Sequence, residues 1–440
     1  MSRLFAHGHV VTMDDAGTEL VDGWIHVDDG LVAAVGAGEP PPADETIDLR
    51  GAVVTPGLVN THHHLYQTLT RARAQDGTLF EWLVELYPVW AGIDAESVYT
   101  AARTGLAELA LSGCTTVFDH HYVFPRGQSG LIEAEVKAAG ELGVRIVASR
   151  GSMDLGFSKG GLPPDNLVET IDEILADTER LAGLADGAMT QIAVAPCSPF
   201  SVTRELMTES AALARRLGLR LHTHLAETVE EDAFCRDMLG CRPTEYLDQL
   251  GWLGDDVWCA HCVHLPADDI ASFARHGVGV AHCPSSNLRL GAGVAPVREL
   301  VDAGVKVGLG VDGSASNERG DLFLEVKNAL LVARGRGGPR AMSAREAIRL
   351  GTRGGASVLG RDDLGQLAVG KRADLAVWPT DELSLLGAAD PVAGLVFSGP
   401  HRVERLVVGG LDVVRGGALL NADEAEIARE HRRVSARFQP

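Results

Sequence analysis

Eight times between Gly57 and Asp312, a short β-branched run gives way to Gly, Pro or polar punctuation and then to a helix-like stretch. The runs are "GLVNTHHH", "CTTVFDHH", "VRIVASRG", "TQIAVAPC", "LRLHTHLAE", "VWCAHCVH", "VGVAHCP" and "VKVGLGVDG". Between them, segments such as "RELMTESAALARRLG" from Arg204 carry apolar residues at helical spacing. Strand–helix alternation repeated eight times over roughly 250 residues predicts an α/β chain with a closed, TIM-like (β/α)8 barrel over residues 56–357.

The two ends read differently. Residues 1–55 and 358–440 alternate apolar and polar side chains around Asp-Gly and Gly-Gly turns, the pattern of hairpins rather than of βα units. Each end alone is too small to bury a core. Both are expected to join one small, discontinuous β-sandwich domain beside the barrel, closed by a C-terminal helix capped at Asn421.

A formal net charge of −21 sets the average surface against phosphate backbones and anionic membranes, which excludes nucleic acid and leaves small molecules open. No apolar run approaches the roughly 18 residues that span a bilayer, and "MSRLFAHGHVVTMDD" lacks a signal-peptide pattern. A cytoplasmic homo-oligomer, a dimer, is expected. The seven cysteines are read as reduced thiols. "CAHC" lacks the second pair that a structural zinc site needs, so Cys259 and Cys262 are read as strand residues flanking His261.

In a parallel barrel the chemistry belongs at the C-terminal ends of the strands. His62, His63 and His64 end the first strand, His222, His224 and Glu227 follow the fifth, and His261, His282 and Asp312 mark the sixth to eighth. Residues i and i+2 of a strand share a face, so His62 and His64 point together and His63 points away. Two imidazoles on one face are half of a metal site, and His224 and Asp312 can complete it from across the barrel. Nitrogen with carboxylate oxygen suits one divalent ion, zinc first and iron(II) second. A single buried histidine is more often a hydrogen-bonded core residue than a ligand, so His63, His120, His121, His222 and His282 are not assigned to the metal.

With these residues in view, the chain resembles the amidohydrolase superfamily, in its mononuclear deaminase group. "PGLVNTHHH", "HTHLAE", "AHCVH" and "GLGVDGSASN" match its motifs, and the likeness runs over essentially the whole chain. Dinuclear members need a carboxylated lysine on strand four, but no lysine occurs between Lys159 and Lys306. The resemblance implies a metal on His62, His64, His224 and Asp312, and a catalytic set of Glu227 as proton shuttle, His261 orienting the attacking water and Asp312 taking its proton. Segments such as "LFEWLVELYPVWAGI", "SRGSMDLGFSKGGLPPD" and "HCPSSNLRL" resemble the 8-oxoguanine deaminase branch, which implies conversion of 8-oxoguanine and water to urate and ammonia. Hydrolases of s-triazines and isoxanthopterin- or guanine-type deaminases share parts of the pattern and form the alternative.

The insertion at residues 65–95 is expected to cover the pocket, with Tyr66, Gln67, Trp82, Tyr87 and Trp90. Gln67, Trp82, His121, Cys197 and Ser198 are the candidate ring contacts, and Asn287 and Asn317 are read as loop-fixing. Two motifs mislead. "GLGVDG" spells a dinucleotide fingerprint but lacks the acid about twenty positions on. "GFSKG" spells a nucleophile elbow but is followed by helix-breaking "GLPP".

Overall fold

The computed structural model describes residues 2–439. Eight parallel strands close into a barrel: β6 (Leu58–Asn60), β7 (Cys114–Asp119), β8 (Arg145–Ser152), β9 (Thr190–Pro196), β10 (Arg220–Leu225), β11 (Val257–His261), β12 (Gly279–His282) and β13 (Lys306–Leu309). They are the eight runs read from the sequence. Nearly every residue on them is buried, which is why they read as continuous apolar runs rather than alternating ones. The lower barrel interior is filled by Val59, Phe118, Val147, Ala193, Trp258 and Ala281, and Val358, Leu359 and Leu364 plug its base. His222 lies against Phe118 and Trp258, at ring separations of 4.6 and 4.7 Å, so this apolar floor reaches the first polar layer at the barrel mouth.

The chain ends supply β1 (Arg3–Val11), β2 (Glu19–Asp28), β3 (Leu31–Ala37), β4 (Glu45–Asp48), β5 (Ala52–Pro56), β14 (Leu375–Pro379), β15 (Arg405–Val408), β16 (Leu411–Arg415) and β17 (Ala418–Leu419). They hydrogen-bond as one nine-stranded mixed sheet in the order β17-β16-β15-β14-β5-β1-β2-β3, with β4 on β1. The small β unit therefore forms from both ends, as one sheet curled over a core of Phe5, Ile25, Val32, Val54, Leu375 and Val407. The turn at Gly30 meets the turn at Gly409 and Gly410, which brings the two halves of the sheet together.

Two devices tie this sheet to the barrel. Gly57 joins β5 to β6 where a Cβ would fall 2.3 Å from Thr115, so a side chain there would push the strands apart. Buried Arg145 at the start of β8 grips Asp374 through two bonds of 2.9 Å. The final helix, Glu424–Ser435, is capped by Asp423 rather than Asn421, whose amide instead donates to Leu142 O. That helix packs on Ala95–Leu111, and its His431 bonds Thr68 O at 3.1 Å. Among the described residues, no helix is long and apolar enough to cross a membrane.

Candidate metal centre

His62 and His64 continue from β6, and His224 sits near the end of β10. Each ring is held by its outer nitrogen. His222 Nδ1 donates to Trp258 O at 3.0 Å, which leaves its Nε2 to accept from His62 Nδ1, also at 3.0 Å. His64 Nδ1 donates to His120 O and His224 Nδ1 to Cys197 O, both at 2.7 Å. These bonds assign the tautomers, and in all three rings Nε2 carries a lone pair. The three lone pairs converge. His62 Nε2 and His64 Nε2 lie 3.3 and 3.2 Å from Asp312 Oδ1, and His64 Nε2 lies 3.2 Å from His224 Nε2. His62 Nε2 is buried without a hydrogen-bond partner. Lone pairs this close repel unless a cation lies between them. His62, His64 and His224 cluster with His120, whose Nε2 is committed to Ala195 O, and His62 clusters also with Asp312; three imidazole nitrogens and one carboxylate oxygen are a donor set that fits a divalent transition metal.

The electrostatics agree. Burial drives the His62 pKa down to about 3, against the pull of Asp312, and holds His224 well below the usual histidine range, so both stay neutral. Burial opposes ionisation of Asp312, but its close approach to the His62 and His64 rings outweighs it and keeps the carboxyl well below its ordinary value. Asp312 Oδ2 is occupied by the hydroxyls of Ser286 at 2.5 Å and Ser316 at 3.2 Å, while Oδ1 accepts from Gly313 N at 2.8 Å and faces the His62 and His64 nitrogens. Glu227 is the opposite case. Burial first, then the charges of Asp312 and Glu230, push its carboxyl well above the usual range, so it holds a proton at neutral pH. It lies 3.5 Å from His261 Nε2, and the other nitrogen of that ring is fixed by Asn287 Oδ1 at 2.9 Å. The backbone is strained at these positions. Ala226, His261, Cys262 and Asp312 all have positive φ, a left-handed conformation that costs roughly 1–2 kcal/mol for a side-chain-bearing residue.

A cavity opens onto this centre, lined by Gln67, Trp82, Tyr122, Cys197, Phe200 and Leu290 with the ligand residues themselves. Its volume, about 30 Å³, is the share of roughly one water, far below the roughly 300 Å³ of pockets that hold small molecules. The site is closed. Helix Leu79–Trp90 forms its roof, with Trp82 Nε1 donating to Ala315 O at 3.1 Å. Arg289 latches the loop before that helix, donating to the carbonyls of Arg73 and Ala74 at 3.1 and 3.2 Å.

The structure brings His62, His64, His224, Glu227, His261 and Asp312 together, while the His63 ring turns back to accept from His64 N at 2.7 Å. Of the candidate ring contacts, Gln67, Trp82 and Cys197 line the cavity. His121 and Ser198 do not. His121 has both ring nitrogens engaged, by Glu135 and Val123 O, and Ser198 bonds Ser201. Tyr87 and Trp90 are buried in the roof, away from the cavity wall. Asn317 fixes its loop as expected, through Val311 O and Glu325, while Asn287 reaches further and aims His261. Sequence reasoning missed Ser286, Ser316, Tyr122 and Phe200, although "HCPSSN" after β12 marks a polar cluster on this rim.

Known proteins share this architecture. The chain is 46% identical to the 8-oxoguanine deaminase of Pseudomonas aeruginosa, over 99% of each chain. It is 41% identical to an isoxanthopterin deaminase from an unknown prokaryotic organism, covering 92% of this chain and 89% of that one. Among solved structures, the atrazine chlorohydrolase of Arthrobacter aurescens complexed with zinc superposes with a TM-score of 0.95 at 36% identity, over 98% of this chain and all of that one. The profile of the amidohydrolase family matches residues 53–411. The chain belongs to the amidohydrolase family.

Proposed function

We propose that this chain is a zinc-dependent hydrolytic deaminase of a free purine-like heterocycle, converting 8-oxoguanine and water to urate and ammonia. His62, His64, His224 and Asp312 would hold the ion. When bound, it supplies the Lewis acidity that makes a water molecule nucleophilic at neutral pH. The chain's own groups do the rest. Asp312 Oδ1 accepts a proton from the attacking water, and His261 Nε2, aimed by Asn287, orients that water. Neutral Glu227 donates its proton to the ring nitrogen beside the carbon that bears the amine, which makes that carbon electrophilic. The proton held by Asp312 then passes to the departing amine, which leaves as ammonia, and the new hydroxyl returns its proton to Glu227 as it becomes the carbonyl. The roof of Leu79, Trp82 and Leu83 excludes bulk water while this happens.

The observation that carries the reading is the clustering of three outward-braced Nε2 atoms, those of His62 and His64 against one oxygen of Asp312 and that of His224 against His64, beside the buried carboxyl of Glu227. The choice of substrate rests on two supports. One is the likeness to the Pseudomonas enzyme. The other is Gln67, whose amide is buried at the cavity wall with neither end hydrogen-bonded. Beside it lies the buried hydroxyl of Tyr66. An unpaired amide suits the lactam edge of an oxopurine and penalises the alkyl chains of a herbicide-type triazine.

The triazine reading is the second one, favoured by the close superposition on the chlorohydrolase. Ammonia release from 8-oxoguanine, guanine, isoxanthopterin and hydroxylated triazines separates the two. Failure to form urate from 8-oxoguanine would sink the first. We also propose that the enzyme is a dimer, which light scattering would test.

A further inference from the structure

A second histidine–carboxylate cluster lies behind the metal centre. Asp119 ends β7, His121 follows it, and Glu135 reaches them from helix Leu131–Leu142. All three are fully buried. Among the described residues, neither carboxyl has a lysine or arginine partner, because nearby Arg150 is committed to Asp177, Glu169 and Gly151 O. Two ionised carboxylates in this place would be very costly.

The hydrogen bonds set where the protons must be. At one end, His121 Nε2 faces Val123 O at 2.9 Å. A carbonyl only accepts, so Nε2 carries the hydrogen, and Nδ1 of the neutral ring is an acceptor. Glu135 Oε1, 2.7 Å from that Nδ1, must then donate. One oxygen of Asp119 and one of Glu135 lie within 4.8 Å of each other, and Asp119 Oδ2 and Glu135 Oε2 are both buried with no N–H or O–H partner, so the two carboxyls can satisfy one another only through a proton held between them. Glu135 Oε2 can only accept, so Asp119 Oδ2 donates. At the far end, Asp119 Oδ1 accepts from Leu65 N at 2.6 Å. A backbone N–H and a backbone carbonyl close the two ends, and neither can exchange roles. Every donor then has one acceptor, with both acids protonated.

We propose that Asp119, Glu135 and His121 form an uncharged, directionally ordered relay that positions the metal ligand His64. Three bonds join the ends of β6 and β7 at this place: Leu65 N to Asp119, His120 N to His63 O at 2.7 Å, and His64 Nδ1 to His120 O at 2.7 Å. The relay sets the Asp119 carboxyl against the amide next to His64, and helix Leu131–Leu142 backs it. Burial shifts all three groups toward their neutral forms, raising Asp119 well above its usual range, raising Glu135 to about 8 and lowering His121 to about 4. These are positioning residues, because they act on the metal only through His64. The same three side chains could instead enclose a cation, since one ligand atom from each lies within 4.8 Å of the others. Charge separates the two readings: the relay needs uncharged acids and a cation needs ionised ones.

The inference rests on His64 as a ligand, and the test reads the relay and the ligand apart. An amide can donate where the acid O–H does, so Asp119→Asn and Glu135→Gln preserve the relay, whereas Asp119→Ala and Glu135→Leu break it. In zinc-loaded protein, the amide variants are expected to release metal to a chelator within about threefold of the wild-type rate, and the Ala and Leu variants at least about tenfold faster. Infrared spectra at neutral pH should contain a protonated-carboxyl band that diminishes in Glu135→Gln and in Asp119→Asn. That arm stands even if the Ala and Leu variants fail to fold. The relay is overturned if the band is absent, if the amide variants lose zinc as fast as the disrupted ones, or if elemental analysis finds a second metal that Glu135→Gln removes. It is also overturned if folded Asp119→Ala holds zinc like the wild type. A wild-type chain that binds no zinc would instead overturn the metal centre, leaving the infrared band to judge the relay.

Discussion

Two clusters of histidine and carboxylate meet around the end of β7, built from the same residue types and both buried. At the metal centre each imidazole donates outward, to a carbonyl or to His222, and turns a lone pair inward toward an ionised Asp312. In the cluster of Asp119, His121 and Glu135, the geometry lets every inner lone pair be met by a proton from a neighbouring acid. The first arrangement has repelling lone pairs that call for a cation, and the second balances without one. What distinguishes a metal site from a core network is thus the direction of the outer N–H groups, more than the identity of the ligating atoms.

The comparison breaks first at Asp312. Asp312→Asn removes the one charge that faces the His62 and His64 nitrogens, and its amide must turn either a donor or a weaker acceptor toward the ion. Activity is expected to fall at least about a thousandfold, with loss of stoichiometric metal; retained metal and near-normal kcat would refute the ligand set. Glu227→Gln should separate holding a proton from holding a metal. The expected loss in kcat is roughly 10²–10⁴-fold, with metal content unchanged, as elemental analysis alongside steady-state rates would report. Smaller effects belong to the groups that aim the rings. Asn287→Ala frees His261 and should lower kcat by about 10–100-fold while leaving metal bound, whereas His222→Leu, which unseats His62, should weaken metal affinity by a similar factor. If both variants lost metal equally, the division of labour between His222 and Asn287 would be wrong.

Much of this was legible before any coordinates. The eight strands could be read because buried parallel strands carry continuous β-branched runs, and the period of two separated His62 and His64 from His63. The rest depends on approach in three dimensions. His121 sits at a strand end beside true ligands, yet its ring turns away from the cavity to meet Glu135, and nothing local in "FDHHYVFP" announces that direction. Ser286 and Ser316 act only because two loops 30 residues apart close on Asp312. Asn421 looked like a helix cap by residue type, but Asp423 lies two positions nearer the helix start and offers a charged acceptor to two amides. The covering insertion at residues 65–95 was legible, but its latch was not, since Arg289 binds carbonyl oxygens that carry no sequence signal.

The mildest prediction sharpens the contrast through pH and stability, leaving the reaction untouched. Glu135 is raised from 4.5 to about 8 by burial, with its contact to Asp119 opposing. A carboxyl whose folded pKa lies above its unfolded value makes the native state bind the extra proton between those two pH values, so stability falls as pH rises from about 4.5 to about 8 and then levels. Glu135→Gln keeps the hydrogen bonds and cannot titrate, and Asp119 remains in both proteins. The Tm of the wild type should therefore drop relative to that of Glu135→Gln across this window, with the two closest in acid and furthest apart at alkaline pH. Asp312 gives the opposite slope, because its folded pKa is depressed and the stability it contributes is lost as pH falls. A Tm difference that stayed flat from pH 4.5 to 8, or widened toward acid, would mean that Glu135 is already ionised in the fold, and the two clusters would then be alike.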